Sequence, residues 1–161
     1  MSVQRQSQED LRDLYRELIL DHARSPRHFG KLDGATHSAE GINPLCGDKL
    51  KLYFSIDPDG RISDAKFEGS GCAISVASAS LMTDTVIGLT YGDALDFFSA
   101  LVSRLTGKPE GGEQAASKMD LGKLVAFEGV KEFPSRVKCA TLAWHALNSA
   151  IQNESEPVST E

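Results

Sequence analysis

A two-stranded hairpin is the strongest structural signal in the sequence. Residues 49–57 alternate polar and apolar positions, the two-residue period of a strand with one buried face, and the apolar positions are Leu50, Leu52, Phe54 and Ile56. The turn sequence DPDG follows, and residues 61–68 are predicted to form the return strand. Its apolar positions change parity between Ile62 and the pair Ala65 and Phe67, which predicts a bulge. The remaining segments must therefore pack around an antiparallel pair.

Four other segments repeat apolar residues every three or four positions, which is typical of helices with one buried face. They are residues 8–23, residues 73–87, a segment from the capping signal at Thr90 to Gly107, and a last helix that begins at Pro134. Residues 25–45 are rich in turn formers and predict a loop with one short strand near residues 36–41. This order predicts an α+β fold, in which a small antiparallel sheet of about three strands packs against several helices.

The length of 161 residues, with 40% hydrophobic residues, fits one domain with a sizeable core and leaves no room for a second. We expect a folded core over about residues 8–151. Residues 108–132 contain scattered charge and a short apolar cluster, and they predict an insertion, mostly loop with one turn of helix. Residues 152–161 predict a flexible acidic tail.

Charge and hydropathy exclude two classes of partner. The net charge of -6 argues against nucleic-acid binding, which needs clustered Lys and Arg to displace counterions. No apolar run approaches the roughly 20 residues that span a bilayer, so we expect no membrane role. The polar first residues have no signal-peptide core, and the expected location is cytoplasmic.

Three cysteines, an odd number, fit a reducing compartment better than a disulfide framework. Cys46 lies in a glycine-containing turn just before the hairpin. Cys72 follows the sequence GSG and immediately precedes a helix, where unpaired backbone N–H groups favour a thiolate. Cys139 lies in the first turns of the last helix. All three thiols are thus expected near the ends of secondary-structure elements.

Zinc takes four tetrahedral ligands from thiolate, imidazole and carboxylate groups, so three cysteines and Asp48 would complete one shell. Asp48 is separated from Cys46 by one glycine, which leaves both side chains free to bend toward one ion. Such a centre carries negative charge, and the cations near it in sequence are Lys49, Arg136 and Lys138, which we interpret as hydrogen-bond donors to the ligands of the metal. Widely spaced cysteines have no local ligand signature, so inert buried thiols are the alternative on these grounds alone. Structural roles are favoured for His22 and His145, and no histidine is included among the ligands.

Four sequence strings in this order, LYRELILDHARSPRHFG, NPLCGDKLKL, FEGSGCAISVASASLMTD and RVKCATLAWHAL, resemble the iron–sulfur cluster assembly scaffold family of IscU and SufU. The resemblance covers about residues 11–151. It implies an α+β fold and carries the family's metal ligands onto Cys46, Asp48, Cys72 and Cys139. Lys138 stands where IscU-like scaffolds have a histidine, and this departure, like the extra segment 108–132, resembles the SufU branch.

The SufU branch implies a zinc protein that accepts persulfide sulfur from a SufS-like cysteine desulfurase and passes it toward downstream cluster-assembly proteins. On this interpretation Cys46 is the sulfur acceptor, since it lies on a loop beside the weakest ligand. The chain would then be a sulfurtransferase-like accessory of the desulfurase rather than a stand-alone enzyme. The main rival hypothesis is a scaffold that assembles an iron–sulfur cluster on the same residues. Less favoured hypotheses are a zinc-stabilised interaction domain and a cysteine hydrolase that pairs Cys46 with a histidine.

Overall fold

A computed structural model describes residues 2–107, 121–153 and 157–160, with the side chains of the first helix described from residue 13 onward. The bounds of its elements are α1 Ser2–Arg24, β1 His37–Asn43, β2 Asp48–Ile56, β3 Ile62–Ser70, α2 Ala73–Val86, α3 Tyr91–Thr106, a 3₁₀ helix Gly122–Val130, α4 Pro134–Ile151 and β4 Val158–Ser159. The fold is α+β, with a small sheet packed against helices, as the sequence predicts.

The sheet has the strand order β3-β2-β1-β4. Strands β2 and β3 form the predicted antiparallel hairpin, and β1 pairs antiparallel with the other edge of β2. The predicted bulge is also present: Ser55 pairs with Asp64 while Ile56 pairs with Ile62, so Ser63 is the extra residue. Because one added residue reverses the alternation, Ile62 and Ala65 both face the core despite their opposite parity.

Strand β4 differs from the sequence-based expectation. Residues 152–161 were expected to form a flexible tail, but Val158 and Ser159 pair in parallel with Gly41 and Ile42 of β1. A strand of two residues is too short to show a periodicity, so it had no signal in the sequence. The sheet is consequently mixed and four-stranded, where about three antiparallel strands were expected.

Helices α2 and α4 cover the inner face of the sheet and contact each other. Small residues allow the elements to approach closely: a Cβ built on Gly41 of β1 would lie 3.1 Å from the Leu142 side chain of α4. Where the two helices meet, the buried Ser78 hydroxyl donates to the carbonyl oxygen of Ala140 at 2.5 Å. Trp144 of α4 is fully buried in the same core. This packing places the first turns of α2 and α4 at the same end of the sheet.

Helix α1 begins at Ser2, six residues earlier than predicted. Leu14 belongs to the apolar repeat of residues 8–23 that predicted one buried face, but it is 63% exposed and borders an open groove of about 620 Å³ between α1 and the 3₁₀ helix. No helix in the described part of the chain is both long and apolar enough to cross a membrane.

The predicted insertion is described only in its second half, since residues 108–120 lie outside the described ranges. Residues 122–130 form a nine-residue 3₁₀ helix, longer than the single turn expected. Its buried Leu124 and Phe127 join the main core, which explains the short apolar cluster in the sequence. Helix α3 has the predicted cap, because the Thr90 hydroxyl accepts the backbone N–H of Asp93 at 3.2 Å.

Candidate metal centre

The loop between β1 and β2 presents Cys46 to solvent. The Cys46 N–H donates to the carbonyl oxygen of Asn43 at 3.3 Å, which closes a tight turn. Gly47 continues the turn with a φ of +71°, a left-handed conformation that glycine adopts without strain. Cys46 is therefore exposed, while Asp48, the first residue of β2, is directed inward and is only 1% exposed.

Asp48 reaches across to the start of helix α2. Its Oδ1 accepts the backbone N–H of Cys72 at 2.8 Å, and its Oδ2 lies 3.9 Å from the Cys72 sulfur. Cys72 is the residue that precedes the first turn of α2, as predicted, and it is half-buried. Gly71 leaves room for this contact, because a Cβ at that position would lie 2.6 Å from Asp48 Oδ1 and 2.5 Å from the Ser75 hydroxyl oxygen.

Cys139, the sixth residue of α4, lies beneath Cys46 and is 2% exposed. Its thiol donates to Cys46 Sγ at an S···S distance of 3.2 Å, and the Asn43 side-chain amide donates to Cys139 Sγ at 3.4 Å. Burial raises the pKa of the Cys139 thiol above its usual range, and hydrogen bonding to Cys46, Asp48 and Cys72 raises it further. Without a metal, Cys139 is therefore a neutral thiol.

The structure brings three of the four predicted ligands, Cys46, Asp48 and Cys139, into one close group. The ligand atoms of Cys46, Asp48 and Cys139 all lie within 4.8 Å of one another, and no other such group of His, Cys, Asp and Glu residues occurs among the described residues. Cys72 falls outside this close group, although its sulfur lies against Asp48. Zinc–sulfur bonds of about 2.3 Å place tetrahedral thiolates about 3.8 Å apart, so small side-chain rotations would bring these atoms to zinc-binding distances.

The environment of Asp48 supplies a second test of whether the residues fit a metal. A buried carboxylate is normally paired with a cation or bound to a metal. Asp48 is almost fully buried, yet no Lys, Arg or His of the described ranges forms an ion pair with it. The soft thiols and the unpaired carboxylate are a donor set that zinc accepts. The residues present therefore fit a zinc ion.

In the described part of the chain, no hydrogen bond joins a thiol to Lys49, Arg136 or Lys138. Lys49 is exposed and lies on the opposite face of β2 from Asp48, because successive side chains of a strand alternate. The Arg136 guanidinium lies 4.6 Å from the centre of the Phe133 ring. Lys138 is half-buried beside Cys139 and has no ion pair with a described residue. Proximity in sequence overestimated proximity in space for Lys49.

Each of the four histidines contacts a residue other than a cysteine. His22 is buried, and its Nδ1 lies 2.7 Å from the Ser80 hydroxyl oxygen. His28 pairs with Asp84, and His145 packs edge-on against Phe98. No histidine belongs to the ligand group around Cys46, so the hypothesis of a hydrolase with a Cys46–histidine pair has no support from this geometry.

Sequence reasoning missed Asn43 as a site residue. It lies at the end of β1, is completely buried, and donates to Cys139 across 96 residues of sequence. The signal that could have found it is its place in the string NPLCGD, since an amide directly before a cysteine-containing turn has few ways to be satisfied within the turn.

The structure combines two features. A mixed sheet is covered by helices on one face, and cysteines from three segments meet an aspartate at one end of that sheet. Together these features define a class of protein. The model of the family described as NifU-like N terminal domain matches residues 14–140, and the chain belongs to this family. The predicted family membership is thereby confirmed.

Two relatives and one solved structure are similar to this chain over most of its length. The chain is 40% identical over 145 residues to the zinc-dependent sulfurtransferase SufU of Bacillus subtilis, covering 90% of this chain and 94% of that protein. It is 43% identical over 145 residues to the iron–sulfur cluster assembly scaffold protein IscU of Streptococcus pyogenes, covering 88% and 85%. The crystal structure of FiSufU, a SUF-system protein from Fervidobacterium islandicum, has a TM-score of 0.74 at 39% identity and covers 84% of this chain and 94% of that one. The chain is thus a homologue of iron–sulfur cluster assembly proteins.

Proposed function

We propose that this chain is a zinc-bound sulfur acceptor, which takes persulfide sulfur from a SufS-like cysteine desulfurase for iron–sulfur cluster biogenesis. The observation that carries the proposal is the unequal exposure of two adjacent thiols. Cys46 is open to solvent, whereas Cys139, 3.2 Å away, is buried and donates its S–H to Cys46. The name of the B. subtilis relative, a zinc-dependent sulfurtransferase, supports the same role.

Cys46, Asp48, Cys72 and Cys139 would hold the zinc. When bound, zinc would keep the coordinating thiols deprotonated and hold their separate segments together. Asp48 is the hardest and weakest donor for this ion, and it is separated from Cys46 only by Gly47. The bonds from zinc to Asp48 and Cys46 would therefore break more easily than the bond from zinc to the buried Cys139.

Sulfur transfer would then take place at Cys46. Its thiolate attacks the terminal sulfur of the desulfurase persulfide, a new sulfur–sulfur bond forms on Cys46, and the bond to the desulfurase cysteine breaks. The electron pair of the broken bond remains on the desulfurase thiolate, so one persulfide and one thiolate are exchanged without an oxidant. The neighbouring Leu45 is 70% exposed, which leaves the approach to Cys46 open for a partner's active-site loop.

A cluster scaffold is the second candidate, and the name of the S. pyogenes relative favours it. The same three thiols and carboxylate could hold iron and bridging sulfide. Metal and acid-labile sulfide in anaerobically purified protein separate the candidates. About one zinc per chain without sulfide supports sulfur transfer, whereas iron with matching sulfide supports scaffolding. Both candidate functions imply a cytoplasmic location and transfer of the product to downstream assembly proteins.

The test of the acceptor role uses Cys46→Ala with the desulfurase and cysteine. Intact-mass and peptide mass spectrometry after a short reaction should show persulfide on Cys46 of the unmodified protein and almost none on the variant. Lys49→Ala is the matched control, because this neighbour is exposed and lies on the other face of β2. An undiminished persulfide load on Cys46→Ala would contradict the assignment of the acceptor.

A further inference from the structure

The Asn43 side chain has one end bonded and one end without a partner. Its Nδ2 donates to Cys139 Sγ at 3.4 Å, but its Oδ1 is buried and accepts no hydrogen bond from a described residue. A buried amide oxygen without a donor is unfavourable, because it has lost its hydrogen bonds to water. This oxygen therefore marks a place where a nearby donor is expected.

Strand β4 brings such a donor alongside. Gly41 pairs with Val158 and Ile42 pairs with Ser159, and the Thr160 N–H donates to the carbonyl oxygen of Ile42 at 3.1 Å. Continuing this register by one residue places Thr160 beside Asn43. The Thr160 hydroxyl oxygen is also buried, and it too has no hydrogen-bond partner among the described residues.

Strand geometry puts these two side chains on the same face of the sheet. Neighbouring residues in register project to the same side, and successive residues alternate. Val158 is half-buried, Ser159 is exposed and Thr160 is half-buried, so the inward positions of this segment are 158 and 160. Asn43 faces inward as well, toward Cys139 of α4.

We propose that Thr160 is a positioning residue for the cysteine site: its hydroxyl, which makes no hydrogen bond to a described residue in this structure, rotates to donate to Asn43 Oδ1 and holds the carboxamide with its NH₂ group toward Cys139. Each of the two unpartnered atoms supplies what the other lacks, since a hydroxyl donates and an amide oxygen accepts. The orientation matters because an N–H stabilises anionic sulfur, whereas a flipped amide would present its oxygen to the sulfur. Residues 157–160 thereby become part of the site.

The test compares Thr160→Val, which keeps the shape and removes the hydroxyl, with Thr160→Ser, which restores a hydroxyl. Two readouts are used: loss of zinc to a competing chelator, and alkylation of Cys139 relative to Cys46 in metal-free protein. Thr160→Val should raise both rates about fivefold, because the loss of one buried hydrogen bond makes local opening around Asn43 and Cys139 about fivefold more frequent, and buried Cys139 reacts only after such opening. Thr160→Ser should remain close to the parent. Ser159→Ala is the control, because Ser159 is exposed on the other face.

A second experiment distinguishes a positioning role of Thr160 from a general contribution of strand β4 to stability. If Thr160 acts through Asn43, Thr160→Val has no further effect on Cys139 alkylation in an Asn43→Ala background. An unchanged rate in Thr160→Val, or an equal increase with and without Asn43, would overturn the inference. The inference rests on the proposed function only where zinc serves as the probe. The alkylation readout uses neither zinc nor desulfurase, so it decides about Thr160 even if the sulfur-acceptor role fails.

Discussion

The Asp48 carboxylate accepts the backbone N–H of Cys72, 24 residues further along the chain, at 2.8 Å. This hydrogen bond ties the first residue of β2 to the residue that precedes α2. The other oxygen of this carboxylate, Oδ2, lies 3.9 Å from the Cys72 sulfur. Asp48 therefore has two roles, a structural hydrogen bond to Cys72 and a proposed bond to the metal. Two substitutions at Asp48 can distinguish these roles.

Asp48→Ala should lower the free energy of unfolding of the metal-free protein by about 1–3 kcal/mol, because the Cys72 N–H loses its acceptor in a part-buried position. Asp48→Asn keeps an oxygen acceptor, so it should lower the free energy of unfolding clearly less than Asp48→Ala does. Both variants should bind zinc more weakly, since neither retains the carboxylate. Urea unfolding of metal-free protein and zinc titration measure the two effects. Equal destabilisation by Ala and Asn would argue against the structural contact.

Gly71→Ala should weaken zinc binding and destabilise the fold by about 1–3 kcal/mol through overpacking. Its added Cβ would lie 2.6 Å from Asp48 Oδ1, so the carboxylate must move out of its present position. Gly129→Ala is the matched control, since a Cβ at Gly129 has no atom within 4 Å. Thermal unfolding and zinc titration of both variants provide the comparison. Zinc binding by Gly71→Ala as tight as that of Gly129→Ala would refute the steric argument.

Alkylation of the metal-free protein should modify Cys46 first and Cys139 last. Cys46 is exposed, whereas Cys139 is 2% exposed and its raised pKa keeps it a neutral thiol. We expect the rates to differ at least tenfold, because Cys139 reacts only through local opening of the structure. Timed reaction with iodoacetamide followed by peptide mass spectrometry measures the order. In denatured protein the three rates should converge, and a fast Cys139 in folded protein would contradict the burial described.

Protonation of His22 should destabilise the fold in mild acid. Burial, and secondarily the Arg27 charge, lowers the pKa of His22 below its usual value, so the unfolded chain takes up the proton first. The stability contributed by neutral His22 is complete above about pH 6.5 and falls as the pH drops toward the lower folded-state pKa, by at most about 1.4 kcal/mol per pH unit.

Unfolding free energies of the parent and of His22→Gln, measured between about pH 7 and pH 5, test this dependence. Glutamine stays neutral over that range, so the variant should have the flatter curve. Carboxylates titrate in both proteins and largely cancel in the difference. Parallel curves would show that the His22 proton is not linked to folding.

Much of the fold could be predicted from local patterns. The alternation in β2 and the change of parity between Ile62 and Ala65 identified the hairpin and its bulge, because a strand must bury one face. The Thr90 cap identified the start of α3 in the same way. Strand β4 could not be found, since Val158 and Ser159 show no period and their pairing depends on a partner more than a hundred residues away.

Candidate members of the site could be proposed from the sequence, but their geometry could not. Cys46, Asp48, Cys72 and Cys139 were named from their chemistry and the family resemblance, but their spacing in sequence says nothing of the depth at which each lies. Only the packing of α4 against α2 and β1 buries Cys139 while Cys46 stays exposed. Asn43 was missed for the same reason, because its contact with Cys139 is entirely tertiary.

The 93 residues that separate Cys46 from Cys139 have a consequence for the newly made chain. At synthesis rates of about 5–20 residues per second, roughly 5–20 seconds pass on the ribosome between the two cysteines. During that interval the nascent chain carries a cysteine–aspartate pair without its buried partner. On the proposed function, the complete shell would exist only after the last helix has emerged, so metal loading would follow the synthesis of that helix.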